Sequence, residues 1–310
     1  MGILVLSAPL PSAPFVAALR AAAPDVPVWS ERERPPSEEA VEAILAWRLK
    51  PGTLSRYPKL RVLCSTGAGV DKLLAASDLP PDLPVTRVVD PLQAQSVAQY
   101  VVAYTLRFAR DLPGYEAQQV RAEWRRHPGR PASRCRIGIL GQGHVAQAVA
   151  QALAPLGYPL AMWGRRRRSL PVGRSLAGDA ELPLLLAQSD VLICTLPLTP
   201  ATRGLLDRAR MSQLPRGSYL INVGRGEHLV EGDLQALLDE DHLAGAALDV
   251  FEREPPPPDA WIWRHARVTA TPHIAGEARD EIVAAQCLDA LRRARAGATQ
   301  PFAVDQAAGY

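Results

Sequence analysis

The sequence has few of the residues that cross-link a chain or anchor it in a membrane. Only 4 of its 310 residues are cysteine, and none of them forms a Cys-x-x-Cys pair. Because that spacing is typical of zinc sites and redox motifs, the sequence predicts neither a metal site nor a disulfide framework. No apolar run is long enough to span a bilayer, so no membrane association is expected.

The sequence also has little excess of positive over negative charge. The 35 basic and 32 acidic side chains leave a formal net charge of only +3. Nucleic-acid-binding proteins usually carry a broad basic surface. Here the excess is local, in residues 165–168 and in a basic stretch over 121–136. The sequence therefore predicts no nucleic-acid partner.

The first residues do not have the pattern of a secretion signal. MGILVLSAPL lacks a basic segment, and its apolar run is short. Ile3 to Leu6 are predicted to form a strand instead. Together with cysteines that lie in or beside apolar runs, this favours a cytoplasmic location.

The strongest pattern lies between residues 136 and 168. An apolar run over 137–140, typical of a buried strand, is followed by the turn sequence GQGHVA and an Ala-rich helix. Glycines at such a turn allow close approach of a pyrophosphate, and the helix N-terminus offers free N–H groups. The pattern predicts a dinucleotide site that includes the turn residues Gly141, Gln142, Gly143, His144 and Val145.

The end of the next strand predicts which dinucleotide is preferred. An NAD site usually places Asp or Glu there to bind the ribose 2′-hydroxyl. This chain has Gly164 followed by four arginines, and guanidinium groups bind phosphate well. We therefore predict NADP(H), with NAD(H) possible, and assign Gly164, Arg165 and Arg166 to the site.

Length and the alternation of short strands with helices predict an α/β protein. We expect two doubly wound parallel-sheet domains with a cleft between them, one Rossmann-type and one flavodoxin-like. Pro91 is interpreted as a chain break before a long helix. The substrate-binding domain is predicted over residues 1–94 and 277–310, and the dinucleotide-binding domain over 95–276.

Three polar residues follow predicted strands of the second domain. Arg225 could bind a carboxylate with two parallel hydrogen bonds. His273 could protonate a carbonyl oxygen as hydride reaches the carbon, and Glu254 could orient His273 and favour its protonated form. These three residue types at strand ends predict hydride transfer to a small 2-oxo acid.

The chain resembles the D-2-hydroxyacid dehydrogenase family in six motifs that occur in order. They are STGAGVD at 65–71, GQGHVA at 141–146, LPLTPATRGLL at 196–206, INVGRG at 221–226, LDVFEREP at 248–255 and TPHIAG at 271–276. The resemblance implies Arg225, Glu254 and His273 as the catalytic set, and substrate carboxylate binding by the backbone of Ala68 and Gly69.

The same resemblance implies further cofactor contacts and an assembly. Asp249 would lie near the nicotinamide carboxamide. The other implied contacts are Leu196, Pro197, Val223, Gly224 and Gly276. A homodimer built on the cofactor domains is also implied. Ala146 replaces the third glycine of the turn, and Gln99 stands where many relatives carry Glu.

Within the family the chain most resembles the glyoxylate/hydroxypyruvate reductase A branch. The resemblance rests on its short length, Trp47 in ILAWRLKP, the arginines after the second strand and the closing VDQAAGY. Trp47 could be a wall of the substrate pocket or a core aromatic. The branch implies NADPH-dependent reduction of glyoxylate or hydroxypyruvate.

Two other functions stay open at this point. The first is an NAD-linked dehydrogenase of a bulkier 2-hydroxy acid, of the phenylpyruvate or phosphoglycerate type. The second is a non-enzymatic nucleotide-sensing corepressor, which has sequence support only from the basic stretch over 121–136. Trp124 in that stretch could be a dimer contact, a lid or a surface aromatic.

Overall fold

The computed structural model describes residues 1–310, which divide into two units. The first unit comprises residues 1–93 and 277–310, and the second comprises residues 94–276. The first boundary therefore falls one residue before the position predicted. Each unit is built on one sheet of parallel strands, which confirms the predicted α/β class.

The chain contains twelve strands and nine α-helices. The strands are β1 (Gly2–Leu6), β2 (Val28–Ser30), β3 (Val41–Ala46), β4 (Val62–Ser65), β5 (Val85–Thr86), β6 (Ile137–Leu140), β7 (Leu160–Gly164), β8 (Arg174–Ala177), β9 (Val191–Cys194), β10 (Ser218–Asn222), β11 (Leu243–Leu248) and β12 (Val268–Ala270). The helices are α1 (Ala13–Ala22), α2 (Asp71–Leu74), α3 (Pro91–Ala109), α4 (Leu112–Val120), α5 (His144–Leu153), α6 (Leu182–Ala187), α7 (Arg208–Met211), α8 (Glu231–Asp239) and α9 (Asp280–Arg295).

The first unit has the strand order β2-β1-β3-β4-β5. This is the flavodoxin-like order, in which the chain passes from one half of the sheet to the other after its first strands. Helices α1 and α9 cover one face, where Leu19 and Leu291 are fully buried against the strands. Leu54, Leu73 and Val304 pack on the opposite face.

The second unit has the strand order β12-β11-β10-β9-β6-β7-β8. Helices α3 and α5 pack on one face, and α6, α7 and α8 pack on the other. The strand order reverses between β6 and β9, and parallel sheets bind ligands at such a switch point, beyond the carboxyl ends of the strands. The loops that follow β6 and β9 therefore meet at the edge where a ligand is expected.

Pro91 is not a chain break, as the sequence had suggested, but the first residue of α3. The fixed backbone of proline suits the first helical turn, where its missing N–H needs no partner. The Asp90 carboxylate accepts a hydrogen bond from the backbone N–H of Leu92 at 2.9 Å and so helps to begin the helix. The hydrophobic pattern alone could not distinguish a helix start from a helix stop at this proline.

The structure also shows the state of the cysteines, the arrangement of potential metal ligands and the character of the helices. All four cysteines are free and buried. No group of three His, Cys, Asp or Glu side chains is arranged to hold a metal ion. None of the helices combines the length and the apolar character that crossing a bilayer requires.

Candidate active site

The glycine turn after β6 has the geometry that a dinucleotide requires. Gly141 has φ +126°, and a Cβ atom there would lie 2.4 Å from Thr195 Oγ1, so only glycine fits. Gly143 precedes the first residue of α5, and no atom lies within 4 Å of its Cβ position. The backbone at the start of α5 is thus open to a phosphate, and Gly143, His144 and Val145 are at least partly exposed.

The side chain of Gln142 points into the protein and makes three contacts with strands β7 and β8. Its Nε2 lies 3.0 Å from Met162 O in β7, 3.0 Å from Ser175 Oγ and 2.9 Å from Leu176 O in β8. Gln142 is buried. Any contact of this residue with a cofactor would therefore fall to its backbone rather than to its amide.

The four arginines after β7 do not share one environment. Arg167 places its Nη2 2.6 Å from both carboxylate oxygens of Glu181 and its Nη1 2.6 Å from Ser175 O. Glu181 also accepts the backbone N–H of Ala177 at 2.6 Å, so this pair fixes the turn. Arg165 and Arg166 are exposed beside Gly164, where no carboxylate occupies the strand end.

The Arg225 loop, residues 223–228 after β10, is held by Asn222 at the end of that strand. Asn222 receives the N–H of Gly224 and donates to the carbonyl oxygen of Arg225, both at 3.1 Å. A Cβ atom on Gly226 would lie 1.8 Å from the carbonyl carbon of Phe251. The absence of a side chain at Gly226 therefore lets the Arg225 loop meet the loop that leads to Glu254.

His273 and Glu254 are brought together by loops after β12 and β11. His273 Nδ1 lies 3.0 Å from Glu254 Oε2, and Glu254 Oε1 accepts the N–H of Phe251 at 3.1 Å. Their side chains are 32% and 29% exposed. His273 has φ +57°, a left-handed conformation that costs a non-glycine residue roughly 1–3 kcal/mol and often marks a functional site.

A hydrogen-bond network around the buried Asp249, which the motifs alone do not specify, holds the His273 loop. Asp249 accepts the hydroxyl of Thr271 at 2.6 Å and the N–H groups of Ile274 and Ala275 at 2.8 Å. Because the Thr271 proton goes to Asp249, Tyr100 is the donor in its 2.7 Å bond to Thr271. Burial raises the pKa of Tyr100, which keeps the phenol protonated and able to donate.

The remaining predicted cofactor contacts all follow strands of the second unit. Leu196 and Gly224 are buried, Val223 and Gly276 are half-buried, and Pro197 is exposed. A Cβ atom on Gly224 would lie 3.2 Å from Leu196 O. The loops after β9 and β10 therefore touch, and a larger residue at position 224 would crowd both of them.

The predicted substrate residues of the first unit also lie close together. Ser65 Oγ donates to Gly69 O at 2.9 Å and accepts the N–H of Gly67 at 3.1 Å, which shapes the loop that contains Ala68. A Cβ atom on Gly67 would lie 3.2 Å from the Trp47 ring. Trp47 thus packs against this loop and is half-buried.

Comparison with known proteins gives consistent matches over the whole chain. Residues 102–275 match the model of the "D-isomer specific 2-hydroxyacid dehydrogenase, NAD binding domain" family. A D-isomer specific 2-hydroxyacid dehydrogenase from Xanthobacter autotrophicus Py2, solved with NADPH and MES, is 37% identical, with 100% of this chain and 99% of that chain covered and a TM-score of 0.94.

Two further solved structures are similarly close. The NADPH-dependent glyoxylate/hydroxypyruvate reductase from Sinorhizobium meliloti, solved with NADP and sulfate, is 32% identical, with 100% and 99% coverage and a TM-score of 0.92. A family member from Klebsiella pneumoniae 342 is 34% identical, with 99% and 98% coverage and a TM-score of 0.90.

Proposed function

The chain belongs to the D-isomer specific 2-hydroxyacid dehydrogenase family, and on that premise we propose that it reduces glyoxylate or hydroxypyruvate with NADPH. The observation that carries the proposal is the 3.0 Å pairing of His273 with Glu254 in the unit that also contains the glycine turn. An imidazole and a carboxylate in hydrogen-bond contact at strand ends are suited to proton transfer.

The residues present fit NADPH. Gly141 and Gly143 leave the backbone open to the pyrophosphate, and Arg165 and Arg166 are exposed beside Gly164, where a carboxylate would repel a 2′-phosphate. The similar proteins from X. autotrophicus and S. meliloti contain NADPH and NADP. When bound, NADPH supplies the hydride that is added to the carbonyl carbon.

The chain supplies the proton and orients the substrate. Arg225 binds the substrate carboxylate through its guanidinium fork. His273 donates a proton to the carbonyl oxygen, which becomes the hydroxyl of the product. Glu254 accepts a hydrogen bond from Nδ1–H of His273 and so directs Nε2 towards the substrate.

The other predicted residues complete the proposal. We assign Trp47, Ala68 and Gly69 of the first unit to substrate binding, on the resemblance of STGAGVD. The loops with Leu196, Pro197, Val223, Gly224 and Gly276 are assigned to the coenzyme. For Asp249, the three protein donors on its carboxylate support a role in fixing the His273 loop in addition to any contact with the carboxamide.

A substrate panel tests the proposal directly. Purified protein would be assayed with glyoxylate, hydroxypyruvate, phenylpyruvate and phosphohydroxypyruvate, each with NADPH and NADH. We expect the highest kcat/KM for one of the two small acids with NADPH. Higher values for a bulky acid with NADH would contradict it, and tight NADPH binding without turnover of any acid would favour the sensor alternative.

We also propose a homodimer that uses the end of α4 and the residues after it. Val120 and Trp124 are 88% and 98% exposed, which is unusual for large apolar side chains. Sedimentation velocity should show a dimer, and Val120→Ser with Trp124→Ser should shift it towards monomer. Leu10→Ser, at an exposed apolar residue of the first unit, should leave the dimer unchanged.

A further inference from the structure

His228 joins two loops that contain the predicted coenzyme and substrate residues. It is fully buried at the end of a 3-10 turn over Gly226–His228. Its Nδ1 accepts the backbone N–H of Arg225 at 3.1 Å. Its Nε2 lies 3.2 Å from the carbonyl oxygen of Pro197. The ring therefore bridges the loop after β9 and the loop after β10.

The bonding partners fix the protonation pattern of this ring. Because Nδ1 accepts an N–H, its lone pair is occupied and the ring proton lies on Nε2, which donates to Pro197 O. Cys194 Sγ lies 3.6 Å from Nδ1. Burial raises the pKa of the Cys194 thiol to about 12, so that group stays protonated and places no negative charge beside the ring.

The segment that contains His228 is packed closely against the neighbouring loops. A Cβ atom on Gly224 would lie 3.0 Å from His228 Nδ1 and 3.2 Å from Leu196 O. Backbone bonds hold the same segment to the preceding loop, from Leu206 N to His228 O and from Gly204 N to Glu227 O, both at 2.8 Å. His228 is thus the side chain through which the backbone of Arg225 and that of Pro197 are bonded to each other.

We propose that His228 is a positioning residue that holds the backbone of Arg225, and through it the guanidinium, in register with the Pro197 loop. This inference rests on the proposed function, in which Arg225 binds the oxo acid and Leu196–Pro197 contact NADPH. In this role His228 acts through the two backbones that it bonds. Its Nδ1 contact supports the substrate end of the site, and its Nε2 contact supports the coenzyme end.

Two substitutions separate these contacts. In His228→Asn the amide oxygen can take the place of Nδ1 and still accept the Arg225 N–H, but nothing reaches Pro197 O. In His228→Gln the longer amide can donate to Pro197 O, but no acceptor remains for Arg225. The readouts are the NADPH Kd by fluorescence, the kcat/KM for glyoxylate at saturating NADPH, and the thermal midpoint.

Each variant is expected to change one of the two constants, the NADPH Kd or kcat/KM, and to leave the other nearly unchanged. His228→Asn should raise the NADPH Kd roughly tenfold and leave kcat/KM within about threefold, because one buried hydrogen bond to the coenzyme loop is lost. His228→Gln should lower kcat/KM roughly tenfold and leave the NADPH Kd within about threefold. Either variant alone is decisive if the other does not fold, since each must spare one constant.

A matched control removes similar bonds away from the site. His265 accepts the N–H of Arg267 on Nδ1 at 3.2 Å and places Nε2 3.3 Å from Asp239 Oδ1. His265→Gln should lower the thermal midpoint without altering either constant. Parallel changes of both constants in the His228 variants, or no change in either, would overturn the positioning role.

The proposed function and the positioning role fail in different ways. Wild-type protein that binds NADPH but reduces no oxo acid would overturn the proposed function. The NADPH Kd of His228→Asn would then decide whether His228 has the positioning role. If that Kd matched the wild-type value, the bridge to Pro197 would have no part in coenzyme binding and the inference would fall.

Discussion

The side-chain amide of Gln142 lies 3.3 Å from the point where a Cβ atom on Gly164 would be. Gln142 cannot easily move away, because its Nε2 is bonded to carbonyl oxygens of both β7 and β8. Any side chain at position 164, the position predicted to influence the choice between NADPH and NADH, would therefore meet the buried amide of Gln142. An acidic residue at position 164 would need space as well as the right charge.

Two substitutions of Gly164 should separate the effect of side-chain volume on coenzyme binding from the effect of negative charge. Gly164→Ala adds only the crowding, and we expect NADPH and NADH Kd values to rise together by about threefold or less. Gly164→Asp adds a carboxylate that repels a 2′-phosphate, so the NADPH Kd should rise at least about tenfold more than the NADH Kd. Fluorescence titration with both coenzymes measures this ratio, and equal ratios for the two variants would argue against a 2′-phosphate at this position.

The arginines after β7 should differ in their effect on coenzyme preference. Arg165→Ala combined with Arg166→Ala should raise the KM for NADPH far more than that for NADH, since each charged hydrogen bond to phosphate contributes about 1.5–3 kcal/mol. Arg167→Ala is the control because Arg167 is engaged with Glu181. It should leave the ratio of the two KM values nearly unchanged. Equal effects of the double variant on both coenzymes would mean that the phosphate is held elsewhere.

Removal of the proposed proton donor should reduce turnover strongly. His273→Ala is expected to lower kcat by about 10²–10⁴, the usual contribution of a general acid. Glu254→Gln keeps an acceptor but removes the charge, so its loss should be smaller. NADPH binding should survive in both variants and serves as the check on folding. An unchanged kcat in His273→Ala rules out the assignment.

The hydrogen bonds that hold the His273 loop should affect kcat only through the position of His273. Thr271→Val removes the hydroxyl between Tyr100 and Asp249, which is one of the three donors to that carboxylate. We expect kcat to fall roughly tenfold, equivalent to about one hydrogen bond, with little change in the NADPH Kd. Thr269→Val, two residues earlier in β12, is the matched control and should retain full activity.

Acid should weaken the link between Asp90 and Arg279 in the first unit. Arg279 contacts both oxygens of the buried Asp90 carboxylate, at 3.0 and 3.1 Å, and this holds the pKa of Asp90 below its ordinary value. An unfolded chain therefore takes up the proton first as pH falls. The stability that this pair contributes is present above about pH 4 and is lost as pH falls through the lowered pKa.

Replacement of Asp90 tests this linkage. At pH 7, Asp90→Asn should lower the free energy of unfolding by about 1–3 kcal/mol, because a buried charge-assisted contact is lost. Its thermal midpoint should then decline less steeply than that of the wild type below pH 4. Asp82→Asn, at an exposed carboxylate of the same unit, should follow the wild-type slope. Parallel slopes for Asp90→Asn would contradict the linkage.

The fold class and the family could be predicted from sequence because their signals are local. A buried strand, a glycine turn and an Ala-rich helix occupy consecutive residues, and the positive φ of Gly141 is a property of a single residue. The edge strand β8 was not predicted, since Arg174 and Ser175 give it little apolar pattern. Helix α4 was also missed, because Pro113 and Gly114 are usually found in turns.

The supporting residues of the candidate site could not be predicted for a different reason. Tyr100 and Thr271 are separated by 171 residues, and only the packing of α3 on the sheet brings them together. His228 is three residues from Arg225, yet its contact with Pro197 spans 31 residues. Single side chains at strand ends can be read from motifs, whereas the partners that orient them depend on register and helix packing.

The return of the chain to the first unit has a consequence for synthesis. Residues 94–276 form a continuous segment and can fold as soon as they have left the ribosome, since domains generally fold as units during translation. The first unit, although translated first, lacks α9 and the side chains of Cys287 and Leu291 until the end. In that interval α1 alone covers one face of its five-stranded sheet, so residues 1–93 are translated before the second unit but are completed after it, with apolar surface exposed to aggregation in the meantime.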